Sequence, residues 1–237
     1  MTVIPMLSSL LPDGDATCAV WEPGDDLPTA QDRGARRLME TLELKPRSAV
    51  LLLAPTDEGA PAVARCAARH GAAITTTAEL AEANGGAPYD AVVSVRAAER
   101  ISAGDPLKAL AASFRQVRTL SAPGARFALL IVTVSEPAEP EPDLTALLDP
   151  EIHRFRLADV IKACGAYWEV ERADSCRSDY TRTAQEVLSS VRARRHALHD
   201  RFGQRRTEEL EEAVTGWARA LTNSRLGLNR LVLRRID

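Results

Sequence analysis

Lysine is nearly absent from this chain. It occurs only at Lys45, Lys108 and Lys162, so almost all positive charge is arginine, and with alanine abundant throughout this is the composition of GC-rich coding sequence rather than of a phosphate-binding surface. The formal net charge of -3 gives no electrostatic pull toward nucleic acid or anionic lipid. The four cysteines, Cys18, Cys66, Cys164 and Cys176, form no C-x-x-C pair and lack metal-ligand spacing, which excludes a structural zinc site and predicts no metal. They read as free buried thiols of a reducing compartment. No apolar run approaches the ~18 residues of a membrane span, and "MTVIPMLSSLLPDGDA" has no basic region ahead of its apolar residues. A cytoplasmic protein without nucleic-acid or membrane partners is expected.

Glycine is missing where it matters most. The apolar approach "LELKPRSAV" runs into "LLLAPTDEGA" at residues 51–60, a place where a strand-to-helix turn that cradles a nucleotide would carry several glycines. What is present is an alternation. A helix is predicted over 29–44, closed by Lys45-Pro46, then a buried strand over 49–54, a helix over 59–70 with Gly71 as its cap, and strands over 72–77 and 89–95. A helix over 105–120, the turn "SAPGA" and a strong strand over 126–134 follow. Strands alternating with helices predict an α/β, doubly wound sheet. The acidic, proline-rich 135–143 reads as a loop, followed by a helix over 157–164, a strand near "AYWEVERA", long helices over 180–201 and 206–222, and an edge-type strand in "GLNRLVLRRI".

At these residues the chain resembles class I S-adenosylmethionine-dependent methyltransferases, in particular the branch of cyclopropane-fatty-acid synthases and small-molecule methyltransferases. "LELKPRSAVLLLAPTDEGAPAVARCAARHGAAIT" is similar to the family's block running from the first strand through the glycine turn to the second strand. "YDAVVSVRAAERI" resembles the fourth strand, "RQVRTLSAPGARFALLIVTV" the turn into the fifth, and the segment from "CGAYWEVERA" through the "Y-x-x-T" helix start to "SRLGLNRLVLRRI" the last two strands. The resemblance implies one Rossmann-like domain over 1–237: a lid and helices over 1–45, a cofactor half over 46–134, and C-terminal strands with substrate-side helices over 135–237. It implies a mostly parallel sheet of seven strands with one antiparallel strand.

Three departures accompany it. Register from Val50 puts Ala54, Thr56 and Glu58 at the three glycine positions, where a β-branched threonine and a long carboxylate crowd a bound ligand. The acid that accepts the ribose hydroxyls falls on Ala78, with Glu79 beside it. Only residues 78–88 separate the second strand from "YDAVVSV", too few for a helix of ~11 residues and a strand as well, so the sheet is expected to have a shortened edge. Together these predict a scaffold that has lost its cofactor, with a genuine S-adenosylmethionine-dependent enzyme as the alternative.

Two classes of function follow: a subunit paired with a methyltransferase-like partner or in a homodimer, or a repurposed pocket that eliminates or cyclises a small molecule by acid–base chemistry. The first is similar in kind to the degenerate methyltransferase-like pairs of aziridine-forming natural-product pathways. For the second, Asp57 and Glu58 stand near a helix N-terminus that would keep a carboxylate ionised, although Asp57 also suits a simple cap. Substrate-side candidates implied by the resemblance are Trp21 in the lid, His153 after the acidic loop, and Tyr180 of "Y-x-x-T"; Arg96 and Arg182 would pair an anionic substrate, with Glu99 as the ordinary partner of Arg96. His70 reads as a helix cap, and Trp168 and Trp217 as core.

Overall fold

The apolar run at 49–53 is too short for a helix and buries both of its faces, which is the behaviour of a strand inside a parallel sheet. In the computed structural model, which describes Leu10 and residues 19–54, 61–78, 80–85, 88–100, 104–135 and 153–237, this strand, β1 (Ala49–Leu53), sits second from one edge of a six-stranded sheet. The other strands are β2 (Ala73–Thr77), β3 (Tyr89–Val95), β4 (Ser121–Val134), β5 (Trp168–Ser175) and β6 (Leu226–Arg235), in the order β2-β1-β3-β4-β6-β5. β2, β1, β3 and β4 run parallel, and β6 is antiparallel to both of its neighbours.

Alternation along each strand feeds two layers. Val50, Leu52, Val93, Leu130, Val132 and Leu228 point to the layer formed by α1 (Leu27–Glu40), α2 (Pro61–Arg69), α5 (Arg177–Ala193) and α7 (Gln204–Thr222). Leu51, Leu53, Val92, Leu129 and Ile131 point to α3 (Pro106–Leu120) and α4 (Leu157–Cys164). Each such buried side chain contributes about 1.5–3 kcal/mol. The short α6 (Arg195–Phe202) closes a third cluster in which Leu198 meets Leu210, Val214 and Leu10.

The helices start where their caps are. Asp26 accepts from Thr29 N at 3.0 Å ahead of α1, and Asp105 accepts from Lys108 N at 3.2 Å ahead of α3, each with a proline in the first turn. Gly71, with φ of 71°, ends α2 and lets Ala72 N reach back to Ala67 O. α1 stops at Glu40, earlier than the apolar spacing predicts, because Glu43 turns left-handed (φ 50°) and delivers the chain to β1. The helix expected over 180–201 breaks at Arg194 into α5 and α6.

Two expectations are corrected. Among the described residues the sheet has six strands, not the seven of the family's sheet: residues 80–85 form only a 3₁₀ turn, tied to β3 by Tyr89 Oη donating to Ala83 O at 3.0 Å. The edge is thus shortened, as the eleven-residue gap required. The last strand is interior, not an edge. Its polar residues misled the reading because each is partnered across the sheet, Asn229 Nδ2 to Thr133 Oγ1 at 2.6 Å and Arg230 Nε to Asp174 at 3.5 Å. The actual edge, β5, carries Glu169, Glu171 and Arg172 and a bulge after Val170, which discourage further pairing. The acidic stretch 136–143 lies outside the described residues.

Candidate ligand cleft at the carboxyl ends of the strands

In an open parallel sheet, ligands bind beyond the carboxyl ends of the strands, where adjoining connections leave to opposite faces. Here those ends are Ala54 after β1, Ala78 after β2, Arg96 after β3 and Ser135 after β4. Ala54 is fully buried, and its N donates to Thr77 O at 3.2 Å, so the tips of β1 and β2 are tied together. Thr56, Asp57 and Glu58 lie outside the described residues.

Beside these tips the shortened edge leaves a cavity of about 150 Å³. Its walls come from Leu53, Ala78 and Leu80, from Ala97 and Ala98, and from Leu110, Phe114 and Phe127, with Ser94, Arg100 and Ser113 as the polar groups. A void of about 150 Å³ is the size that accepts one aromatic ring. The 3₁₀ turn at 80–85 also brings a carboxylate back to the end of β2: Thr77 Oγ1 donates to Glu82 Oε2 at 3.3 Å. Register along the strand points to Ala78, whereas the turn, not the strand, brings the carboxylate of Glu82 to this end of β2.

β3 ends in a strained residue. Arg96 has φ of 57°, in the left-handed region, and its N donates to Leu130 O at 3.0 Å. That bend places Glu99, 1% exposed, under the tip of β4, where its Oε1 accepts from Val132 N at 2.5 Å and its Oε2 lies 3.6 Å from Arg96 Nε. Glu99 therefore fills the ladder position vacated where β3 stops. The next ladder position is taken by Phe155, which bridges Thr133, while His153 N donates to Glu99 O at 2.8 Å. Arg96 and His153 are thus brought together around Glu99.

Trp21 and Arg182 meet at a second place, on α5. Trp21 N donates to Asp179 Oδ1, and its indole Nε1 to Asp179 O and Thr183 Oγ1, all at 3.1 Å. The Arg182 guanidinium lies 4.3 Å over the Trp21 ring. Arg33 donates to Val20 O at 2.9 Å and pairs with Asp25, and hydrogen bonding to that guanidinium holds the Asp25 carboxyl down at about 2. The segment 19–26 is therefore a strap fastened to α5 and α1. Tyr180 turns inward, 4% exposed, with its ring 5.0 Å from that of Trp217. Nothing local in the sequence announces Asp179 as the partner of a tryptophan 158 residues away. Trp21→Phe keeps the ring under Arg182 but removes the indole donor, and is expected to destabilise the chain by about 0.5–1.5 kcal/mol in urea unfolding and to speed proteolysis within 19–26.

The remaining candidates have structural partners. His70 Nδ1 lies 2.9 Å from Cys66 O at the end of α2, and Trp168 Nε1 donates to Phe114 O at 3.0 Å inside the core. Cys66, Cys164 and Cys176 are buried free thiols, with burial pushing Cys164 up to about 11. Among the described residues no helix is long and apolar enough to cross a membrane.

The strand order, the single reversed strand and the cleft together define the class I methyltransferase fold. The mycolic acid cyclopropane synthase CmaA1, solved in complex with SAH and CTAB, is similar with a TM-score of 0.83 and 16% identity, over 98% of this chain and 94% of that one. Coclaurine N-methyltransferase bound to N-methylheliamine and SAH gives 0.77 and 13% identity, over 99% and 82%. The [4+2]-cyclase SpnF gives 0.69 and 16% identity, over 98% and 92%. No protein-family model matches the chain, and no curated protein matches it.

The expectation of a scaffold without a cofactor is overturned by these structures, since proteins of this fold and overall extent carry SAH. Its physical basis was also incomplete. Two of the crowding side chains, Thr56 and Glu58, lie outside the described residues, while at Ala78 the small side chain opens onto a cavity and Glu82 lies within hydrogen-bonding distance of Thr77 at the end of β2.

Proposed function

We propose that this chain is a small-molecule methyltransferase that binds S-adenosylmethionine at the carboxyl ends of β1, β2 and β3. The observation that carries the reading is the cavity between Leu53, Ala78, Ser94 and Ala97, whose mostly apolar lining, broken by Ser94, Arg100 and Ser113, suits a flat heteroaromatic ring such as adenine. Glu82 is the candidate acceptor for the ribose hydroxyls, and Ala54 is the buried residue that ends β1 next to the cavity wall at Leu53. When bound, the cofactor supplies an electrophilic methyl group. The chain's own part is to align the acceptor, for which Trp21 and Arg182 on the strap and Arg96 and His153 at the end of β3 are the candidate side chains.

Calorimetric titration with S-adenosylhomocysteine tests this reading. Saturable micromolar binding is expected, weakened about five- to tenfold in Glu82→Gln, which keeps the shape and removes the charge-assisted bond. A titration without saturation would end the reading. Pairing with a methyltransferase-like partner or a second copy stays part of the proposal. What supports it is the other sheet edge, β2, whose sequence Ala-Ile-Thr-Thr-Thr carries no charge to discourage an added strand; equilibrium sedimentation of the chain alone and with a candidate partner checks it. A cytoplasmic location is proposed on the same footing.

A second reading is favoured by the presence of SpnF among the similar structures: ring closure, including aziridine-type cyclisation, on the same scaffold. Asp57 and Glu58, in the connection after β1, would then serve as the base. The two readings separate by whether turnover consumes the methyl donor in proportion to product.

A further inference from the structure

Arg154 is a cation for which methyl transfer provides no partner. It sits in the run His153–Phe155 that continues the sheet past the end of β3, with Val134 N donating to Phe155 O at 3.0 Å. The rings of His153 and Phe155 lie 4.7 Å apart, and Phe155 is buried among Leu129, Ile131 and Val160. In an extended run, neighbours alternate sides, so Arg154 leaves on the opposite side from this cluster.

There it is half-buried, and its Nε is enclosed without a hydrogen-bond partner among the described residues. The carboxylate whose charge it feels is Glu99, and Glu99 is already engaged, through Oε1 with Val132 N and through Oε2 with Arg96. Glu99 thus serves Val132 N and Arg96 before Arg154, whose own Nε it does not reach as a hydrogen-bond acceptor. Burial pushes the Arg154 guanidinium below its ordinary range, with Glu99 pulling it back, yet an arginine stays charged at any working pH. A partly desolvated cation with an unmet donor is costly unless something arrives to pair with it. Its planar fork suits an oxyanion.

We propose that Arg154 is an anion receptor on the substrate side of the cleft, and that the small molecule acted on carries a carboxylate or phosphoryl group that pairs with it. The proposal rests on the reading of this cleft as a small-molecule site. Arg154, beyond the acidic loop, recognises the substrate rather than the cofactor, so the two are measured separately.

The test is thermal unfolding of the full chain titrated with acetate and, separately, with inorganic phosphate, sodium chloride keeping ionic strength constant. A rise in Tm that saturates with one or both anions is expected, the responding anion naming the group. In Arg154→Gln the apparent Kd should increase at least about tenfold, and in Arg154→Lys, which keeps the charge but loses the fork, about threefold. If the glutamine variant does not fold, the lysine variant carries the comparison. Affinity for S-adenosylhomocysteine, measured on the same proteins, should be unchanged by either substitution, so that failure of the cofactor reading and failure of this one are told apart. Absence of saturation with both anions, or equal binding by wild type and variants, would overturn the proposal.

Discussion

Glu99→Ala is expected to destabilise the fold by about 3–5 kcal/mol, the usual cost of removing one partner of a buried, hydrogen-bonded charge pair. The side chain does two things at once. It accepts from Val132 N where β3 no longer reaches β4, and it neutralises Arg96, itself only 8% exposed. Alanine leaves the Val132 amide without this acceptor and removes the Glu99 carboxylate from beside Arg96 and Arg154. For a domain of this size the loss corresponds to a fall in Tm on the order of 10 °C. Glu99→Gln keeps an acceptor for the amide and should cost roughly half as much. Urea unfolding with an unchanged m-value checks both, and a Glu99→Ala protein within about 1 kcal/mol of wild type would show that the carboxylate is not what closes the ladder.

The second large effect is on binding. Ala78 is exposed at the tip of β2 and lines the cavity mouth, so Ala78→Trp places an indole where the adenine ring is proposed to sit. A void of about 150 Å³ holds one aromatic ring and not two, so affinity for S-adenosylhomocysteine should fall at least about a hundredfold. Stability should change little, because the substitution starts from an exposed position and fills space rather than making it. Ala68→Trp, on the exposed side of α2, is the control and should bind as wild type does. Undiminished binding by Ala78→Trp would place the nucleoside elsewhere.

The fold was legible because its signals are local. A continuous apolar run at 49–53, Asp-Pro starts at 105–106, and Gly71 after an alanine-rich helix each specify their element without reference to distant residues. The shortened edge was legible by arithmetic alone, since eleven residues cannot hold a helix and a strand. What failed was reading polarity as exposure: Asn229 and Arg230 suggested an edge, but Thr133 and Asp174 meet them from neighbouring strands 96 and 56 residues away.

The cleft was legible in outline and not in its parts. Position along the chain sufficed to put Ala54, Ala78, Arg96 and His153 near the strand ends. The groups that give the site its character depend on turns that no periodicity reveals. Glu82 reaches β2 through a 3₁₀ turn, Glu99 reaches β4 through a left-handed bend at Arg96, and Arg154 is set opposite Phe155 by a single bridge. The inference from missing glycines to a missing cofactor failed for a related reason. It treated the loop's side chains as the whole pocket, whereas the room for an aromatic ring lies between the turns that follow β2 and β3.

A crystal structure of the chain grown with saturating S-adenosylhomocysteine tests this account most directly. The account predicts the adenine ring between Ala78 and Ala98, above Phe114, with the ribose hydroxyls against Glu82. Density for the nucleoside at any other place, or none at a concentration that saturates related folds, would contradict it.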